Sequence, residues 1–281
     1  MLMAFRNYAD EASVAGGDWS AGLPLANLAD RQLSRVARSS GCSPEATWFL
    51  VDLGRARPIS FLALLRHNLS AGGQWRLRIG NAPDMAAPLY DSALHDIWPV
   101  IYPFGVGLWG EFVWGGKLSH SEAATYGIAG IHLLPEPVFA RFLRVDLSDA
   151  NNPAGYLQAG RLVVAPAYRP SVNLRFGWSL QQVDESRVSR SRGGQTYIDT
   201  VPLFRRLSFE LGFLGKDEAY GYLYELHRTK GVSGDLMVMV DPEDGLHRHR
   251  ETIYGRLSSV DPITNPDLGV YGLRLTVDEL L

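Results

Sequence analysis

Between Ile97 and Gly116 the chain concentrates aromatic side chains, and Trp98, Tyr102, Trp109 and Trp114 stand there in a context broken by glycine and proline. Rings so placed have two uses. They stack on the apolar face of a sugar or fill a partner's pocket, or they pack into the chain's own core or a neighbouring subunit, the commoner fate of a large aromatic. These four residues are the candidate ligand or partner contacts. A second group, Arg187, Arg190 and Arg192, leads into Gly193-Gly194 and is the candidate assembly contact. Without interleaved aromatics or a wider basic field, it suits a solvated loop or charged subunit contact better than a phosphate site. The glycine pair fits an arm that orders on assembly.

Metal and catalytic chemistry have less to stand on. His247, His249 and Glu251 would share one face of a strand, as a metal-binding set does, but an exposed charged edge strand explains the same residues without a fourth ligand. Asp241, Glu243 and Asp244 read as an Asp-Pro-Glu-Asp-Gly turn that needs no ion. In Arg66-His67-Asn68, a buried histidine tying a loop to the backbone is the favoured reading over a ligand donor. The chain has no Gly-x-Ser-x-Gly elbow, phosphate-binding loop, His-Glu-x-x-His or dinucleotide fingerprint. The expectation is therefore a protein without enzymatic activity, cofactor or metal. A glycosidase carboxylate pair drawn from distant strands is the catalytic alternative.

Bulk composition narrows the partners. A formal net charge of −3 with no long run of either sign lacks the basic footprint of a nucleic-acid binder. With 46% hydrophobic and 20% charged residues, the 281-residue chain has the profile of a globular protein of one large or two ordinary domains. Cys42 is the single cysteine, so no intrachain disulfide forms. No apolar run approaches the ~20 residues that span a bilayer, and the opening Met1-Leu2-Met3-Ala4-Phe5 lacks the pattern of a secretory leader. Synthesis in the cytoplasm without membrane insertion is expected.

The elements that must position these residues are mostly strands. Trp48 to Leu53 is closed by a turn at Gly54 and followed by an apolar strand from Ile59 to Leu65; Trp75, Leu77 and Ile79 then alternate with Arg76 and Arg78. Leu143, Val145 and Leu147 alternate around Arg144 and Asp146, and Leu162 and Val164 close the series. Turn-rich stretches separate these strands and no strong amphipathic helix intervenes, which predicts antiparallel sheets packed as a sandwich. The prolines at Pro166 and Pro170 mark a boundary at about residue 170, dividing 1–168 from 172–281. Beyond it, strands are predicted around Leu207-Phe209-Leu211, 236–240 and 271–277. One helix over 216–230 is predicted from Ala219, Tyr222, Leu223 and Leu226, with basic residues in its last turn and Gly231 after it.

The order Thr47-Trp48-Phe49-Leu50-Val51-Asp52-Leu53-Gly54, the strand through Ile59, His67-Asn68-Leu69-Ser70 and Trp75-Arg76-Leu77-Arg78-Ile79 resembles discoidin, or coagulation-factor type C, domains. Phe142-Leu143-Arg144-Val145-Asp146-Leu147 and Tyr156 to Val164 match the closing strands of that galactose-binding-like family. The resemblance covers roughly 10–168 and implies a jelly roll, with a longer, more aromatic insertion at about 91–137 and ligand contacts through loops at one end. Asn173 to Ser179 and Thr252 to Leu257 resemble minor-tail or distal-tail-like proteins of tailed phages. This second resemblance implies a virion structural component at the tail tip or baseplate, a homo-oligomeric ring or trimer, other tail proteins as partners, and host surface glycan as the jelly roll's ligand. The expected class is mainly β: a discoidin-like jelly-roll sandwich plus a smaller β-rich domain with one helix. A virion-associated glycan hydrolase and a free lectin-like protein are the alternatives.

Overall fold

The apolar alternation described above becomes strands in two compact units of a computed structural model, which describes residues 1–100, 102, 116, 129–243 and 245–281. One unit holds Arg6–Ala167 with Glu243–His249; the other holds Met1–Phe5, Tyr168–Pro242 and Arg250–Leu281. The chain passes between units at 167/168, close to the proline pair. Two short segments depart from the division at 170. Strand β1 (Leu2–Ala4) pairs with a strand far along the chain, Leu2 opposite Met239, and 243–249 belongs with the sandwich. Segments this short have no readable periodicity, so long-range pairing alone assigns them.

The sandwich unit contains β2 (Ser13–Ala15), β3 (Ala37–Arg38), β4 (Trp48–Leu65), β5 (Gln74–Gly80), β6 (Tyr90–Asp91), β7 (His95–Asp96), β8 (Ala129–Ser148), β9 (Gln158–Ala159) and β10 (Arg161–Ala165). Its frame is an antiparallel ribbon of β4 and β8, running from Trp48 opposite Asp146 to Leu65 opposite Ala129. Register shifts at Asp52/Arg57 and Ile59/Phe61 bend the ribbon. Gly54, at φ +74, supplies the left-handed residue of the first bend. The expected turn at Gly54 is thus an irregularity within one strand, because β8 continues across it and holds both halves together.

The bend lets the ribbon serve both layers. One end of β4 pairs with β2, the matching part of β8 pairs with β5 from Gln74–Ser148 to Gly80–Phe142, and the other end of β4 pairs with β10. Phe49, Val51, Trp75, Leu77, Ile79, Leu143, Val145, Leu162 and Val164 meet in one core. Each such side chain contributes about 1.5–3 kcal/mol through burial. Arg76 and Arg78 face away and pair with Asp91 at 2.9 Å and Asp146 at 2.7 Å. The result is the sandwich that the alternation predicts.

The other unit is a sheet in the order β1-β15-β16-β18-β14-β11, with β17 on β18. Its strands are β11 (Ser179–Val183), β14 (Phe204–Leu214), β15 (Asp235–Met239), β16 (Thr252–Leu257), β17 (Thr264–Asp267) and β18 (Val270–Glu279). A separate hairpin joins β12 (Arg187–Arg190) to β13 (Thr196–Asp199). The helix over 216–230 is present, α-helical at its ends and π-helical at Ala219–Tyr224. It buries Ala219, Leu223 and Leu226, while Tyr222 is partly exposed and stacks on Tyr168 at 4.3 Å. Among the described residues no helix is long and apolar enough to cross a membrane.

Candidate functional site

A cavity of ≈ 340 Å³ opens in the sandwich unit where the aromatic insertion leaves and rejoins the sheet. Register builds its floor. His95 on β7 lies opposite Trp75 on β5, and β8 brings His132 alongside, placing the two imidazole centroids 4.9 Å apart. The Trp75 ring lies 5.8 Å from His95 and 6.3 Å from His132. Tyr90 on β6 completes the group, its hydroxyl 2.7 Å from His132 Nε2. Ile97, Pro99, Ile131 and Leu133 give the lining its apolar part, and Asp96, Arg248 and His249 give it further polar groups.

Electrostatics keep His132 neutral. Burial, with a smaller push from His95, lowers its pKa to about 4, so at neutral pH it carries one N–H donor or one acceptor on each ring nitrogen. Asp96 is the single carboxylate among the described residues that line it. Paired carboxylates on either side of a glycosidic bond, the arrangement of most glycosidases, are not formed by this set. A neutral imidazole beside apolar walls suits a small ligand with hydroxyl groups on one side and C–H surface on the other.

Behind this wall lies His67, fully buried, with its pKa lowered to about 3 by burial and secondarily by His249. Among the described residues neither ring nitrogen has a hydrogen-bond partner. It therefore does not tie its loop to the backbone. Asn68 does that, donating to Tyr156 O at 2.9 Å and accepting from the Gln158 N–H at 2.8 Å. The His67 ring instead packs edge-on against Trp98 at 5.1 Å.

Trp98 is a core residue rather than a presented ring: it is 3% exposed and its indole N–H donates to Leu69 O at 2.9 Å. The apolar neighbours Ile97 and Trp98 were drawn inward because the insertion begins by packing under the loop at 67–73. Tyr102 is half-buried, and its N–H bonds to Gly116 O at 3.0 Å. Trp109 and Trp114 lie outside the described residues. Arg187, Arg190 and Arg192 are all exposed, the first two on β12 and the third in the tip that follows. The expected strand at 247–251 is instead a run of turns up to Glu251, with His247 exposed and His249 buried, so the two histidines do not share a face. Sequence reasoning missed His95 and His132. The polar residue inside the apolar run Gly130-Ile131-His132-Leu133-Leu134 was the available signal.

No protein-family model and no curated protein matches the chain. Solved structures similar to it include a family 32 carbohydrate-binding module from a family 31 glycoside hydrolase of Clostridium perfringens, at 12% identity and TM-score 0.37, covering 58% of this chain and 99% of that one. The family 32 module of C. perfringens NanJ, solved with galactose, is similar at 12% identity and TM-score 0.38, over 59% and 99% of the two chains. The lectin domain of lectinolysin, complexed with Lewis B antigen, is similar at 14% identity and TM-score 0.36, over 57% and 95%.

Proposed function

We propose that this is a non-catalytic binding and assembly protein whose sandwich unit holds a monosaccharide-sized part of a glycan in the His95/His132 cavity. The observation that carries the reading is the cavity's chemistry. A volume of ≈ 340 Å³ lies within the range of small-ligand sites, and a neutral imidazole beside Ile131 and Leu133 offers a sugar both hydrogen bonds and apolar contact. Titration with galactose, glucose and fucose, followed by amide chemical shifts, tests it. Binding should perturb Tyr90, His95 and His132, and His132→Ala should weaken it at least about tenfold, near 1.4 kcal/mol. Absence of binding, or binding that leaves these residues unperturbed, overturns the reading. Release of reducing ends from a bacterial surface polysaccharide would overturn its non-catalytic part in favour of the hydrolase alternative.

The exposed β12/β13 hairpin favours a second role, in assembly, for the other unit. In this reading the protein is a component of a tailed-phage virion, made in the host cytoplasm and built into the tail among other tail proteins, as the resemblance of 173–179 and 252–257 implies. Locating the protein in purified particles tests that placement. A chain absent from particles would favour the free lectin-like alternative.

A further inference from the structure

Every residue from 187 to 203 is exposed, a run that includes both strands of the β12/β13 hairpin. Val188, Tyr197 and Ile198 are 64%, 54% and 62% exposed, and Val201 and Leu203 add to the same bare segment. An isolated two-stranded hairpin is marginal in water, and large apolar side chains collected on it mark an interaction surface. Among the described residues its two strands pair only with each other. Each therefore carries one unpaired outer edge, a template for another strand.

The edges are chemically complementary. Inside the hairpin Arg187 faces Asp199, Val188 faces Ile198, Ser189 faces Tyr197 and Arg190 faces Thr196. The outer edge of β12 thus presents arginines flanking a valine, and the outer edge of β13 presents an aspartate beside an isoleucine. Two copies of the β12 edge would oppose arginine to arginine. The β13 edge of another copy, set against β12, would repeat the register that the hairpin already uses and bring an acid to a base.

We propose that the β12/β13 arm is the self-association element: the β13 edge of one chain pairs antiparallel with the β12 edge of a second copy of this chain. The proposal rests on the assembly reading above and specifies its mode. The contact is heterologous, so repetition closes a ring or extends a filament according to the rotation between copies. The seventeen residues of 187–203 approach the 20–30 per side, roughly, of a stable interface.

The test uses the full chain. Sedimentation at about 1 to 100 µM should show an average mass rising from 31.0 kDa to at least about twice that value. Val188→Lys with Ile198→Lys should return it to one chain. So should replacement of 187–199 by a short Gly/Ser turn, which removes no buried residue and should leave the melting temperature unchanged. Trypsin should cut at Arg187, Arg190 and Arg192 readily in dilute protein and at least about tenfold more slowly at high concentration. A chain that stays monomeric with its arm cut equally fast overturns self-association through the arm, without touching assembly onto a different protein. Oligomers that persist in both arm variants overturn the arm's role while leaving the assembly reading standing.

Discussion

Lowering the pH from 7.5 to 5.5 should destabilise the sandwich unit, and the two neutral histidines in and behind its cavity set the amount. An imidazole of ordinary pKa 6.5 in the unfolded chain is protonated about ten to one at pH 5.5, whereas His67, with its pKa lowered to about 3, remains neutral in the fold. The unfolded state then binds more protons, so stability rises with pH in this range. The contribution is present above pH 6.5 and is lost as pH falls toward the folded values of about 3 and about 4. For His67 the loss at pH 5.5 is RT ln 11, about 1.4 kcal/mol. His132 is partly exposed and solvent reduces its share to roughly half of that, giving about 2 kcal/mol together. For a unit of this size the melting temperature should fall by about 4–8 °C.

Thermal unfolding followed by tryptophan fluorescence at pH 7.5, 6.5 and 5.5 measures this directly, since Trp75 and Trp98 report the sandwich core. Carboxylates do not confuse the window, because ordinary and lowered carboxylate pKa values lie below about 5. His67→Leu should remove most of the slope. It should also leave the protein at least as stable at pH 7.5, since two unpaired buried ring nitrogens are exchanged for a side chain with nothing to satisfy. A melting temperature that stays level from pH 7.5 to 5.5, or a leucine variant with the original slope, would refute the assignment of a neutral, unsatisfied His67.

Trp98→Ala should lower the stability of the sandwich by about 3–5 kcal/mol in urea melts, because it empties a core site and orphans Leu69 O; loss of ligand binding without loss of stability would restore the presented-ring reading. In the other unit, Lys230 and Asp235 are buried together with Nζ and Oδ1 3.3 Å apart, and the Tyr254 hydroxyl donates to Asp235 at 2.8 Å. Asp235→Asn leaves the ammonium without its counter-charge and should cost about 3–5 kcal/mol by chemical denaturation, with Lys230→Met in the same chain recovering much of the loss. Gly255→Ala should destabilise by about 1–3 kcal/mol, because the added methyl would stand 2.3 Å from Asp278 O on the neighbouring strand; hydrogen exchange of β16 and β18 amides would report it.

Trp75, Leu77 and Ile79 show which part of the fold was legible. Their alternation with Arg76 and Arg78 identifies the strand and its inner face without knowledge of any partner, because a strand's faces are set by its own period of two. The same is true of the helix from Ala219 to Leu226, although its spacing placed Tyr222 inward and the π turn at Ala219–Tyr224 rotates that ring outward. The continuity of β4 across Gly54 was not legible. A left-handed glycine looks like a chain reversal in sequence, and only the facing strand, some 90 residues further along, decides that it is a bend. For β1 the difficulty was length, since three apolar residues carry no period and their partner lies at 237–239.

The site was less legible than the fold, and for a connected reason. His95 and His132 are far apart in sequence and neither sits in a motif; β7 sets His95 opposite Trp75 on β5, whereas His132 belongs to the part of β8 that pairs with β4, opposite Leu62, and the two rings meet only in the fold. What brings them together also breaks a local rule. Two imidazoles 4.9 Å apart, one hydrogen-bonded to the Tyr90 hydroxyl, add nothing to the sheet that Val or Leu would not supply better. Such a violation in a strand otherwise built of Ile131, Leu133 and Leu134 is where a fold spends stability on something else. The cost is largest when His132 is forced to charge, which ties the acid sensitivity of the unit to the ligand reading. A bound polyol that hydrogen-bonds the neutral ring of His132 resists protonation of that ring, so sugar affinity in the wild type should fall as pH drops toward about 4, and any binding left in His132→Ala should not follow that titration. A ligand that stabilises both proteins equally at every pH would separate the cavity from the histidines and leave their pairing without a function.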